Sequence, residues 1–214
     1  ASLPKKHGGF DESLTFGEDW DLWLRLTRTG TYFVKAPKCG VYYRQYPESI
    51  TQADAFQDIT QRVTVWQRAL SRDPICKRPL PEFELGIGEG LKALNQTRRA
   101  FAEAMAAISK NDMDLANDLM QLVSLDVLSL CDPINMAART RFTILRRHCE
   151  PGTAWPAIRK HFGKDILTYL EPLISYKNKH FFQDFLKDLL GPGFSAQMHT
   201  LLNKCKPLVS IITP

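Results

Sequence analysis

The chain has 214 residues, 44% of them apolar and 24% charged, with a formal net charge of +5. That is enough for one large or two small domains with a real core, and the balance is that of a folded globular protein rather than a disordered or fibrous one. No run approaches the roughly 18 apolar residues that a membrane span needs, and no charged and apolar leader opens the chain, which begins at Ala1 without a methionine and so reads as a segment of something longer.

The first informative stretch covers residues 8 to 49, and within it the run Gly17-Glu18-Asp19-Trp20-Asp21-Leu22-Trp23-Leu24-Arg25-Leu26. Acids crowd its first turn, and Gly30 follows Arg25 and Arg28, which is how a short helix begins and ends. Trp20, Trp23 and Leu24 lie at i, i+3, i+4, so the periodicity predicts that this face is buried against a larger surface. Asp21 and Arg25 stand four apart in the favourable acid-first order and are expected to pair along the helix surface. Glu18 and Asp19 have no base at i+3 or i+4 and sit where a helix N-terminus stabilises an ionised carboxylate. Such a carboxylate beside tryptophans can act as a general base, or can simply be a good helix start. Residues 31 to 36 and 39 to 46 are β-rich runs closed by Pro37 and Pro47, which predicts two short strands.

The order Gly8-Gly9-Phe10-Asp11-Glu12, the Gly17 to Leu26 run, Pro37, Tyr42-Tyr43-Arg44 and Ser49 closely resembles the C-terminal part of the catalytic domain of family 2 glycosyltransferases. The resemblance implies the GT-A fold and transfer of a sugar, with inversion, from a nucleotide-sugar to an acceptor hydroxyl. It implies Asp19 as the catalytic base, which makes chemical sense because a sugar hydroxyl is a poor nucleophile until its proton is removed. It places Glu18 beside the base, orienting it or touching the acceptor, with Asp11 and Trp20 on the substrate side. Arg44 is similar to the family's arginine near the leaving group, where a guanidinium could hold diphosphate oxygens. Members often carry a histidine two residues later; Tyr46 stands there, which puts a metal or phosphate role at that position in doubt. A divalent metal, Mg or Mn, is expected for the parent enzyme, with its ligands outside this segment and no metal ligand within it.

From residue 51 the pattern turns helical. Phe56, Ile59, Val63, Trp66 and Leu70 form a helical stripe over residues 53 to 71, and the proline-rich residues 73 to 81 read as a linker. Gly86, Gly88 and Gly90 lack the spacing of a phosphate loop and are expected to give a loose or kinked start to the next helix. That helix is marked by Leu91, Leu94, Phe101, Met105 and Ile108, and Ala100, Ala104 and Ala107 allow close approach of a neighbour. Asn111-Asp112 turns the chain into a helix carrying Met113, Ala116, Met120, Val123, Val127 and Leu130, completing a hairpin. A helix from Pro133 to about residue 149 follows, then shorter ones over 155 to 162, 165 to 176, 178 to 190 and 195 to 204, with Gly191-Pro192-Gly193 as a hard break. Met120, Met136 and the phenylalanines at 181, 182 and 185 are expected to be core rather than a cofactor box.

Residues 139 to 180 hold nine Lys/Arg against three Asp/Glu. That excess is either a solvated helical face or a surface for an anionic membrane or phosphorylated acceptor; without a reading motif or interleaved aromatics, nucleic acid is not expected. The five cysteines and five histidines show no metal-ligand spacing, so the cysteines read as reduced thiols of a cytosolic protein.

Residues 206 to 214 are again β-rich and resemble the first strand of a second family 2 domain, whose following loop contacts the nucleotide; this places Thr213 and Pro214 at the substrate. The expected architecture is mostly α with a small α/β part: the end of a GT-A domain (residues 1 to 52), a connecting helix and linker (53 to 81), a helical accessory region (82 to 205) and a terminal strand (206 to 214). The expected parent makes a polysaccharide or glycoconjugate of the cell envelope from a nucleotide-sugar donor and a glycan or lipid-linked acceptor. It would work in the cytoplasm or at the inner face of the membrane, in peripheral contact with anionic lipid, and the segment alone would be inactive. The alternative is a non-catalytic helical module that docks partners or a membrane.

Overall fold

The computed structural model describes residues 3–28, 30–35, 37, 55–70, 87–148 and 154–204. The described residues are mostly helical: α1 (Leu3–Lys6), α2 (Glu18–Arg28), α3 (Ala55–Leu70), α4 (Ile87–Ser109), α5 (Met113–Met120), α6 (Leu125–Ser129), α7 (Pro133–His148), α8 (Trp155–Leu170), α9 (Lys179–Leu190) and α10 (Ser195–Asn203). Short 3-10 turns at Glu171–Leu173 and Pro192–Phe194 follow α8 and α9. No helix among the described residues is long and apolar enough to cross a membrane. The chain divides into two compact units, Ala1–Arg99 and Ala100–Pro214.

In the N-terminal unit α2 packs on α3, and Phe16, Leu22, Leu26, Ile59, Val65 and Ala69 are buried. The buried side of α2 also holds Asp21 and Arg25, so the expected surface pair is an interior one. The expected burial of the tryptophan face is overturned as well: Trp20 and Trp23 are 36% and 47% exposed. Leu22 and Leu26, spaced i, i+4, win the inward side because Asp21 and Arg25 neutralise each other beside them, which removes most of the cost of burying charge there. Residues 31–35 form no ladder with any described residue, and Tyr32, Phe33 and Val34 are exposed. The strands expected over 39 to 46 and 206 to 214 lie outside the described residues.

Helix α4 begins at Ile87, so Gly88 and Gly90 lie within it instead of in a loose lead-in. Asp58 on α3 accepts from Arg62 Nε at 2.6 Å and from Arg99 Nη2 at 3.0 Å, tying the buried carboxylate to two helices.

The C-terminal unit is built around Phe101, whose ring centroid lies 5.2 Å from Phe185, 6.4 Å from Phe182 and 6.5 Å from Phe181. Edge-on aromatic contacts of this kind add to the burial of their area. Helices α7 and α9 pack along each other, with Met136 and Ile144 from the first and Phe182, Phe185, Leu186 and Leu189 from the second fully buried. Asn111 takes a left-handed turn conformation (φ 61°) between α4 and α5, as its sequence context suggested.

Two helix boundaries differ from expectation. The run from Met113 to Leu130 is broken into α5 and α6 because Ser124 caps the second, its hydroxyl accepting from Val127 N at 3.3 Å; Leu130 is left at the surface. The runs around 155 to 162 and 165 to 176 are instead the one helix α8, which passes unbroken through Gly163, where the Phe194 ring occupies the space that a Cβ would need. Glycine is there for a close approach rather than for a break.

Candidate functional site

The site starts from the loop before α2. Gly17 has φ 76° and its carbonyl accepts from Asp21 N at 2.9 Å, so it is the residue from which the helix springs. Thr15 N and Phe16 N both donate to Gln61 Oε1, at 2.8 and 2.7 Å, which fastens the loop to α3. Earlier in the same loop Asp11 Oδ1 accepts from Ser13 N at 2.9 Å and Ser13 Oγ at 2.6 Å, while Arg68 Nη1 donates to Oδ2 at 2.7 Å. The Ser13 hydrogen bonds, with Arg68 behind them, lower the Asp11 carboxyl to about 2.

The other edge of the loop is held by Arg25. Its Nε donates to Asp21 Oδ2 at 2.8 Å, its Nη2 donates to Gly9 O at 2.7 Å, and its Nη1 donates to His7 O. Gly8 and Gly9 have φ 83° and 68°, so the pair bends the chain to present those carbonyls. A single guanidinium thus joins the first residues of the unit to the helix that carries the acids.

Glu18 and Asp19 are half-buried at the start of α2, and among the described residues no cation pairs with either. Asp19 Oδ1 accepts from Trp20 N at 2.8 Å, which orients the carboxylate along the first turn. The Trp20 ring stacks obliquely on Trp66, with centroids 6.3 Å apart, and the Arg62 guanidinium lies 5.7 Å from the Trp20 ring centre. Beyond it Trp20, Trp23, Leu24, Thr27 and Phe33 line an open, almost wholly apolar concavity of about 640 Å³.

Of the residues singled out from sequence, Asp11, Glu18, Asp19 and Trp20 therefore share one unit, with α3 holding the first and the last. Arg44, Thr213 and Pro214 lie outside the described residues. Sequence reasoning missed Gln61, Arg62, Trp66 and Arg68 as supports of the site; their spacing along α3 (61, 62, 66, 68) was the available signal, but the amides and carboxylate they hold are about half a hundred residues away in the chain. No group of three His, Cys, Asp or Glu side chains among the described residues could hold a metal ion. Asp19 and Asp21, two apart on the helix, do not share a metal either, since Asp21 is buried against Arg25.

Comparison of the chain with protein-family models, with curated proteins and with solved structures gives no match.

Proposed function

We propose that this chain is part of an inverting glycosyltransferase and that Asp19 is its general base. The observation that carries the reading is a difference among the carboxylates around α2. Asp21 is committed to Arg25 and Asp11 to Arg68, whereas Glu18 and Asp19 are paired with no described cation at the end of a helix that favours negative charge. A base must be free to accept a proton, so the commitment of the neighbours leaves Glu18 and Asp19, and the motif order selects Asp19 of the two.

In this reading Asp19 takes the proton of the acceptor hydroxyl as its oxygen attacks the anomeric carbon of the donor, and the nucleoside diphosphate leaves from the opposite face. Glu18 and Trp20 orient the acceptor. Arg44 holds the diphosphate as its charge develops, and Thr213 and Pro214 touch the nucleotide of a second domain of the same kind. A divalent Mg or Mn ion would neutralise the diphosphate, held by residues outside this segment. The GT-A architecture, the cell-envelope glycan or lipid-linked acceptor and the cytoplasmic setting belong to the same proposal, and all rest on the motif order described above.

The test is Asp19→Asn in the full gene product. Transfer is expected to disappear while nucleotide-sugar binding, read by calorimetry, is kept. Retained transfer removes Asp19 from the role, and turnover of any nucleotide-sugar by the 214-residue chain alone would mean that the donor site has been placed wrongly.

A further inference from the structure

Helix α3 reaches the start of α2 through Arg62. Its Nε donates to Asp58 Oδ1 at 2.6 Å, and Asp58, 1% exposed, also accepts from Arg99 Nη2 at 3.0 Å. Two guanidiniums therefore share one buried carboxylate. Arg99 already gives that carboxylate a cation, so the burial of Asp58 does not by itself call for Arg62. What Asp58 does is fix where the Arg62 guanidinium stands. One turn earlier on the same helix, in the acid-first order, it holds Nε, and the guanidinium carbon comes to lie over the indole of Trp20, 5.7 Å from the ring centre.

The aliphatic stem of Arg62 makes a second contact. A Cβ on Gly17 would lie 3.5 Å from Arg62 Cγ, so the stem runs close to the turn from which α2 springs. Trp66, one turn further along α3, meets the same indole with centroids 6.3 Å apart at 58°. Trp20 is held from α3 at two points, remains 36% exposed, and supplies the backbone N–H that Asp19 Oδ1 accepts at 2.8 Å.

We propose that Arg62, locked by Asp58, is a positioning residue for the acceptor: it fixes the Trp20 ring beside Asp19, and so sets where a sugar stacked on that indole presents its hydroxyl. The inference rests on the reading of Asp19 as the base and Trp20 as an acceptor contact. A guanidinium suits the task because it is drawn to the negative face of the indole while a buried charge fixes it in place, and the attraction gains where water is partly excluded; the Arg62 side chain is only 18% exposed. Removing the guanidinium does not orphan Asp58, which keeps Arg99, so the contact can be lost without unfolding the unit. The effect then falls on acceptor placement and not on proton transfer or on the donor.

The experiment is initial-rate kinetics of the full gene product with a panel of UDP- and GDP-hexoses as donors and methyl hexosides as acceptors, in wild type and in Arg62→Met, which keeps the stem against Gly17. The acceptor KM is expected to rise about ten-fold, with kcat and the donor KM kept. Arg62→Lys, which retains a cation, should recover most of the loss. In a Trp20→Ala background Arg62→Met should have no further effect, since Arg62 acts through that ring. An unchanged acceptor KM, a fall in kcat with both KM values unchanged (the mark of a merely structural role), or additive losses in the double variant would overturn the proposal while Asp19→Asn still abolishes transfer. Transfer retained by Asp19→Asn, or absent from wild type with every pair, would instead overturn the underlying reading and this inference with it.

Discussion

The Nε of Arg25 lies 2.8 Å from Oδ2 of Asp21 one turn earlier in α2, and both side chains are buried. The same guanidinium donates to the carbonyls of His7 and Gly9, so the pair anchors the N-terminal loop as well as the helix. Arg25→Met would keep the bulk and leave the Asp21 carboxylate buried without its cation. A loss of about 3–5 kcal/mol is expected. It can be read by urea unfolding in a Trp155→Phe background, where the remaining tryptophans, Trp20, Trp23 and Trp66, all report on the N-terminal unit. A loss below about 1 kcal/mol would mean that the pair behaves as a solvated one.

Asp11 gives a pH dependence with a definite sign. Its carboxyl is lowered from 3.8 to about 2 by the Ser13 hydrogen bonds and Arg68, so the folded state binds a proton less readily than the unfolded chain. The stabilisation is present above the unfolded value and is lost as pH falls from about 4 toward 2. Because the group is well solvated the gain is small, under about 1 kcal/mol. Wild type should be more stable than Asp11→Asn at neutral pH, and the two should converge at the acid end. An advantage that persists unchanged at the acid end would show that the Asp11 charge is not its source.

Glu103 is the acid that Arg146 Nη2 and Arg147 Nε share, at 2.7 Å each. Glu103→Ala removes the acid while leaving both cations where the fold put them, Arg147 being buried. A cost of about 3 kcal/mol is expected, with Glu103→Gln costing less because an amide oxygen still accepts one hydrogen bond. Thermal unfolding checks the order; equal stability of the two variants would remove the retained hydrogen bond from the explanation, and a Glu103→Gln variant as stable as wild type would remove the charge.

Phe101 is fully buried among three phenylalanines of α9. Phe101→Ala should cost about 3–5 kcal/mol, and Phe101→Leu clearly less, since most of the volume is kept. Amide exchange of α9 is the direct reading, and it should accelerate in the alanine variant alone.

How far these features were legible depends on how local they are. Helical period, the turn at Asn111-Asp112, the break at Gly191-Pro192-Gly193, the acid-first spacing of Asp21 and Arg25, and the apolar spacing of Phe181, Phe182 and Phe185 all follow from hydrogen bonds and side-chain contacts within a few residues, so the sequence by itself determined them. The candidacy of Glu18 and Asp19 is legible for the same reason, as the lack of a base within one turn can be read directly. Which side of α2 faces inward could not be read this way, because Trp20, Trp23 and Leu24 form as good a stripe as Leu22 and Leu26 until a partner surface and the Asp21–Arg25 neutralisation choose between them. The same holds for Gln61 receiving two amides of a distant loop, for Arg68 holding Asp11, and for the Phe194 ring that packs on Gly163 and leaves no room for a side chain there. Tertiary structure decided these, since each joins groups far apart in the chain whose meeting is set by packing and by the need to satisfy buried polar atoms, and nothing in local periodicity records that meeting.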